Sequence, residues 1–170
     1  MALTKEQKEI RRSGVGGSDV AGIFGVSKWA TPLDIFFSKI QEVEDDEDDN
    51  EAIEWGNRLE ALIVKTFADK TGKECIPGTE TFRHPDYPHM LANVDAMIVG
   101  ENAALEVKTA RFAGEWGERG SDEIPNAYLL QVAHYSAVLN LDKVYSAVLI
   151  SGSDFRIYEY KKNPKLEELI

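Results

Sequence analysis

Residues 90–110 read MLANVDAMIVGENAALEVKTA. Two apolar runs flank GEN, a turn-forming tripeptide, and the segment predicts an antiparallel β-hairpin. In a strand, residues two apart share a face. Glu106 and Lys108 therefore share one face of the second strand, and Leu105 and Val107 the other. Closing the hairpin about residues 100–102 brings Asp95 of the first strand roughly opposite Glu106. Two carboxylates at that range destabilise each other unless a proton or a cation intervenes. A hard divalent ion such as Mg²⁺ or Mn²⁺ does this through oxygen ligands. Lys108 cannot ligate such an ion, but it can position a water or steady developing negative charge. The alternative is Lys108 neutralising both acids with no metal.

The segments around the hairpin alternate in type. Upstream, residues 4–10 predict a short helix. GVGGSDVAGIFG (14–25) predicts another, with Ser18 as N-cap and Gly25 as its end. ATPLDIFFSKI (30–40) opens a third, with Thr31 as N-cap and Pro32 in its first turn. EAIEWGNRLEALIVKTFADKTG (51–72) has strong helical periodicity and a glycine stop at Gly72. KECI (73–76) and TETF (79–82) are short strand candidates. Beyond the hairpin, a helix runs from Pro125 to about 141, KVYSAVLISG (143–152) and DFRIYEY (154–160) form two strands, and NPKLEELI (163–170) starts a terminal helix. This order predicts one mixed α/β (α+β) domain over residues 1–170, with a central mixed sheet flanked by helices.

Length and composition suit that reading. The chain has 170 residues, 43% hydrophobic and 29% charged, enough for one full core. No apolar run is long enough to span a bilayer, and the N-terminus is too polar for a secretory signal. The single cysteine, Cys75, excludes an internal disulfide and a four-cysteine metal or iron–sulfur site. A cytoplasmic protein is expected. The formal net charge of −11 argues against nucleic acid as a partner, but its distribution weakens the argument. Residues 42–51, EVEDDEDDNE, hold eight of the 30 acids; the other 22 face 19 Lys and Arg, a net of −3. The run reads as a mobile acidic loop, and it lacks the glycine that a calcium loop needs at its sharp turn.

Three further groups carry possible chemistry. Gly56, Glu60, Ile63 and Phe67 form one helical stripe, small or apolar except for Glu60. A buried carboxylate needs a partner, so Glu60 is a candidate additional metal ligand or supporting base, against a rim salt bridge to Arg58 or Lys65. RRSGVGGSD (11–19) joins two arginines to glycines and a serine opening a helix, a pattern that suits phosphate. It equally suits a capped glycine turn, and no Walker lysine follows the glycines. Tyr128, Gln131 and Tyr135 share a helix face, with His134 beside it; they could meet a nucleic-acid strand, brace the acids, or simply line a core boundary. His84 and His89 lie in a proline-rich loop and take no role. No serine–histidine or cysteine–histidine pairing suggests a nucleophilic hydrolase.

Taken in order, RRSGVGGSD, WGNRLE, ANVDAMI, LEVKT and YLLQVAHY resemble the YqaJ-like viral recombinase family, grouped with lambda exonuclease in the PD-(D/E)xK nuclease superfamily. The resemblance runs from about residue 11 to 160. It implies a restriction-endonuclease-like core and Mg²⁺-dependent phosphodiester hydrolysis, with Mn²⁺ substituting. By position in the motifs, it implies Asp95, Glu106 and the Val107 carbonyl as metal ligands and Lys108 as the catalytic lysine. Glu60 matches the helix acid supporting a second metal or the water. Arg11 and Ser18, with Arg12 as a substitute for Arg11, match residues holding a 5′ phosphate. Tyr128 and Gln131 match a Y-x-x-Q element beside the site. Val94 stands where the superfamily has proline. The resemblance implies 5′→3′ digestion of one strand of linear duplex DNA in phage recombination, often by ring-shaped trimers working with a single-strand annealing protein. A repair or restriction-like endonuclease on the same core is the second reading, and a non-catalytic DNA- or protein-binding module the third. A Cas4-like nuclease is disfavoured because Cys75 alone cannot hold an iron–sulfur cluster.

Overall fold

The computed structural model describes residues 5–41 and 51–170. In chain order the elements are α1 (Lys5–Arg12), β1 (Val15–Gly16), α2 (Gly17–Ile23), α3 (Pro32–Ile40), α4 (Glu51–Thr71), β2 (Cys75–Pro77), β3 (Phe82–Arg83), β4 (Met90–Ala92), β5 (Ala96–Ile98), β6 (Ala103–Ala110), α5 (Asn126–Leu139), β7 (Lys143–Ile150), β8 (Asp154–Lys161) and α6 (Pro164–Glu167). The acidic run at 42–50 lies outside the described residues, and Glu51 opens α4. Among the described residues no helix is long and apolar enough to cross a membrane.

The central sheet is mixed, in the order β2-β5-β6-β7-β8. β6 and β7 run parallel, in register from Ala103↔Lys143 to Ala110↔Ile150, and the other pairs are antiparallel. A parallel pair cannot be closed by a tight turn; α5 is the crossover. Alternation along β6 divides its two faces. Ala104 joins Val132, Ala133, Tyr135, Val144 and Val148 in the core beneath α5. Ala103 and Leu105 join Ile63 and Phe67 of α4, with Tyr145 and Ala147, on the opposite face. Ile63 and Phe67 are almost wholly buried, and burying each such side chain stabilises the fold by about 1.5–3 kcal/mol. Their stripe continues through Glu60 to Gly56, so the helix that seals one sheet face also delivers a carboxylate past its edge.

Residues 90–99 do not form one strand. β4 leaves the central sheet for a second, three-stranded sheet of order β1-β4-β3, and β5 begins only at Ala96. The step at residues 93–95 has partners on both sides. β1 pairs parallel with β4 through Val15↔Met90 and Gly16↔Leu91, and β3 pairs antiparallel with it. Asn93 Nδ2 donates to Thr81 Oγ1 at 2.7 Å, and the Gly78 N–H donates to the Asp95 carbonyl at 2.9 Å. Leu91 and Ala92 are both fully buried, so the alternation expected of a one-sided strand is lost there.

The start of α2 also differs from the expectation. Its N-cap is Gly16, not Ser18, and Asp19 Oδ2 accepts the Gly16 N–H at 2.8 Å. An acid three residues past the cap can close the first turn from within, which leaves the Ser18 hydroxyl exposed and outside the cap. α3 begins as expected, with Thr31 capping and Pro32 in the first turn. It buries no side chain, and Leu33, Phe36, Phe37 and Ile40 are exposed on it.

Candidate active site

β5 pairs with β6 only at Ala96↔Leu105 and Met97↔Ala104. Continuing that register sets Asp95 opposite Glu106, as the hairpin turn requires. Beyond this point no strand among the described residues covers the β6 edge, and the Val107 N–H is taken instead by Asp95 Oδ2 at 2.6 Å. A residue's N–H and C=O leave a strand on the same side, so the Val107 carbonyl is directed to the same open edge. The gap is a cleft of about 220 Å³, lined by Asp95, Glu106, Val107, Lys108 and Thr109 from the sheet and by Ile53, Gly56, Asn57 and Glu60 from α4. Arg58 pairs with Glu54, and Lys65 with Asp69, on the outer side of that helix.

Glu106 is the buried centre of the cleft, 3% exposed. Its Oε1 accepts from Lys108 Nζ at 2.5 Å and from Gln131 Nε2 at 2.7 Å. Its Oε2 is buried with no hydrogen-bond partner among the described residues. Burial first, and then the Glu106 charge, hold the Asp95 carboxyl well above its ordinary 3.8; Glu60 adds to the rise, while the Val107 N–H and Lys108 oppose it. Burial lowers the Lys108 ammonium, but Glu106, by charge and hydrogen bond, together with Asp95 and Tyr128, outweighs it and leaves the group above its ordinary 10.5. Two repelling acids, one with an oxygen left over, share one lysine, and a proton or a cation would relieve the repulsion that remains.

Among the described residues no three His, Cys, Asp or Glu side chains converge closely enough to hold a metal ion by themselves. A donor set here is therefore two carboxylates, the backbone oxygen at the open edge, and water. All of these are oxygen donors, and they fit a hard cation that keeps part of its hydration shell.

α5 presents Tyr128, Gln131 and Tyr135 to this cluster, as its periodicity predicts. Gln131 Nε2 also donates to the Tyr135 hydroxyl at 2.8 Å. Burial and the charges of Glu106 and Asp95 push the Tyr135 phenol well above its ordinary value, so it stays protonated. The Tyr128 ring faces Lys108 Nζ at 5.1 Å from its centroid. His134 turns elsewhere: its Nε2 donates to the Leu91 carbonyl at 2.9 Å, and burial keeps the ring below its ordinary 6.5 and neutral.

Arg11 Nη2 donates to Ser18 Oγ at 2.7 Å. Between them Gly17 lies so close to Tyr135 that a Cβ there would fall 2.5 Å from the ring. Arg11 and Ser18 thus connect through Gly17, Tyr135 and Gln131 to Glu106. Arg12 is exposed, and no described contact ties it to the pair. Several contributors have no local signal. Lys39 of α3 donates to the buried Asp19 carboxylate at 2.6 Å and to the Arg11 carbonyl at 3.0 Å. Ser146, in register with Glu106 on β7, has a buried hydroxyl without a partner among the described residues. Trp116 stacks beneath Tyr128.

Comparison with known proteins bears on the family and the fold. The description of the YqaJ-like viral recombinase domain matches residues 6–142. The chain is 42% identical over 164 residues to the uncharacterized protein YqaJ of Bacillus subtilis (strain 168), covering 94% of this chain and 50% of that one, so it spans about half the length of that relative. Its fold is similar to the alkaline exonuclease LHK-Exo of Laribacter hongkongensis, with a TM-score of 0.73 at 16% identity over 98% of this chain and 86% of that one. It is also similar to a phage related exonuclease of Haemophilus somnus 129PT, with a TM-score of 0.63 at 13% identity over 91% and 87%. The core is of the restriction-endonuclease-like type.

Proposed function

The chain belongs to the YqaJ-like viral recombinase family, and on that footing we propose that it is a Mg²⁺-dependent nuclease that digests one strand of linear duplex DNA from its 5′ end. The observation that carries the reading is the pairing of Asp95 with Glu106 at the open edge of β6, with Glu106 Oε2 left over and Lys108 alongside. The exonucleases that share the fold support the reaction class.

Asp95, Glu106 and the Val107 carbonyl would hold the cation, with Glu60 supporting from α4. Bound there, Mg²⁺ or Mn²⁺ would neutralise the two acids and act as a Lewis acid toward a phosphodiester oxygen. Lys108 favours its ammonium form, so its part is to donate a hydrogen bond to negative charge developing on the phosphate rather than to accept a proton. Gln131 holds Glu106 Oε1, fixing the carboxylate so that Oε2 keeps one orientation. Tyr128 bounds the ammonium on its other side. Arg11 and Ser18 would receive the terminal 5′ phosphate through charge-assisted hydrogen bonds, with Arg12 as a second cation nearby. Ring assembly and work with a single-strand annealing protein belong to the same reading; the apolar face of α3, exposed on the single chain, supports a partner surface there.

Digestion of end-labelled linear duplex and closed circular duplex, with and without Mg²⁺, tests the proposal. Nucleotide release from the linear substrate only, and only with Mg²⁺, is expected, and Glu106→Ala should abolish it. Cutting of the circle would favour the endonuclease reading. DNA binding without hydrolysis by the wild-type protein would favour the binding module.

A further inference from the structure

Two side chains of β8 converge on one carbonyl of the loop between β6 and α5. Tyr158 Oη donates to the Gly117 carbonyl at 2.6 Å, and Arg156 Nη1 donates to the same oxygen at 2.7 Å. Asp154 binds Arg156 and, at 2.6 Å, Arg119, tying the loop again to β8. A Cβ on Gly117 would lie within 3 Å of the Ser121 and Glu123 side chains, so the loop closes this tightly only on glycine.

The pinning decides where Trp116 goes. It is 7% exposed, while Phe112 in the same loop is 74% exposed. One side of the indole stacks on Tyr128, with centroids 5.3 Å apart and planes 23° apart; Tyr158 lies 5.2 Å away at 32°. The Tyr128 ring in turn faces the Lys108 ammonium. Tyr158, Trp116 and Tyr128 therefore form a run of aromatic contacts from β8 to Lys108, which lines the cleft. A lysine head on a flexible four-carbon stem is placed by what surrounds it. Around Lys108 those surroundings are the Glu106 oxygen and the Tyr128 ring, and the ring has its own support in Trp116.

We propose that Trp116 is a positioning residue for Lys108: it holds the Tyr128 ring in the orientation that keeps the ammonium at the cleft, without touching DNA or reacting atoms. The functional part of this inference rests on Lys108 being the catalytic lysine.

Two measurements on Trp116→Leu and Trp116→Phe test it. The first is the NMR position of the Lys108 Cε protons in lysine-labelled protein, which the Tyr128 ring should shift upfield. The second is steady-state kinetics on a 5′-phosphorylated duplex. Trp116→Leu is expected to return the Lys108 resonances toward ordinary lysine values and to lower kcat by about tenfold, with KM within about twofold, because a displaced catalytic group costs rate rather than binding. Trp116→Phe keeps an aromatic plane and should stay close to wild type in both. Should Trp116→Leu fail to fold, Trp116→Met retains bulk without the plane and replaces it. Folded Trp116→Leu, or Trp116→Met in its place, with unmoved Lys108 resonances overturns the proposal, as does a loss confined to KM or a Trp116→Phe loss as large as that of Trp116→Leu. If the wild-type protein releases no nucleotides, or Lys108→Ala is fully active, the catalytic reading of Lys108 falls instead, and the resonance shift still decides whether Trp116 sets its position.

Discussion

Gln131 reaches across from α5 to donate its side-chain amide to Glu106 Oε1 at 2.7 Å, the same oxygen that Lys108 contacts. Among the described residues, one oxygen of the buried carboxylate therefore carries two donors and the other none. The asymmetry makes a helix residue responsible for how a sheet residue is aimed.

Gln131→Ala should leave a folded protein with a poorly oriented Glu106. Partners of ligating groups typically change metal affinity or activity by about 10–100-fold, and a loss in that range is expected for both Mn²⁺ affinity and turnover. Titration calorimetry beside a single-turnover assay checks it. Wild-type values in both would show that Gln131 only fills space.

Lys108→Ala should separate binding from rate. It removes a donor but no ligand, so Mn²⁺ affinity should hold or rise slightly as the carboxylates lose their neutralising partner, while turnover falls by at least about 10²-fold. If affinity and rate are both unchanged, Lys108 is a bystander of the acids.

Asp95 should make the metal-free protein more stable on mild acidification. Its folded value lies above the ordinary 3.8, so below its raised value the native state binds the proton more readily than the unfolded chain does. The stability it contributes is present in the protonated form and is lost as pH rises through the window from 3.8 to the raised folded value. His134, held below its ordinary 6.5, acts in the opposite sense: its contribution is present above 6.5 and is lost as pH falls. The difference between wild type and Asp95→Asn isolates the carboxyl. In Mg²⁺-free buffer at neutral pH, Asp95→Asn should raise Tm by about 2–4 °C for each kcal/mol of relieved repulsion, and the gap should close toward acid pH. A lower Tm for Asp95→Asn at neutral pH would refute the assignment of repulsion.

Arg11 and Ser18 should set a preference for 5′-phosphorylated ends. A charge-assisted hydrogen bond contributes about 1.5–3 kcal/mol, so Arg11→Ala should slow phosphorylated ends by roughly tenfold or more and hydroxyl ends less. Initial rates on the two duplexes, for Arg11→Ala, Arg12→Ala and Ser18→Ala, decide the matter. Equal slowing of both ends would leave a general DNA contact, and loss of preference only in Arg12→Ala would move the phosphate to that side chain.

What the sequence made legible was local or periodic. The GEN turn sets the hairpin register, so the opposition of Asp95 and Glu106 follows from counting. The 3.6-residue period of α5 places Tyr128, Gln131 and Tyr135 on one face, and that of α4 places Glu60 on the stripe of Ile63 and Phe67. The break between β4 and β5 was not legible, because an apolar run across 90–99 looks the same whether it serves one sheet or two; the choice is made by β1 and β3, remote in the chain. Serine is a good cap, so the sequence points to Ser18, whereas the acid of Asp19 closes that turn. Trp116 sits in an irregular loop whose path depends on Tyr158 and Arg156, some forty residues on.

The hairpin also has a kinetic meaning. Asp95, Glu106 and Lys108 all fall within residues 95–108, joined by one turn, while Glu60 and Gln131 arrive on separate helices. Local contacts close early because little loop entropy opposes them. The two acids thus meet with Lys108 already on the same strand, and the helix donor to Glu106 comes later, with the β6–β7 crossover. Substitutions in the GEN turn should therefore act mainly on the refolding arm of a chevron plot, and Gln131→Ala mainly on the unfolding arm. The reverse partition would mean that the crossover, and not the turn, organises the folding nucleus.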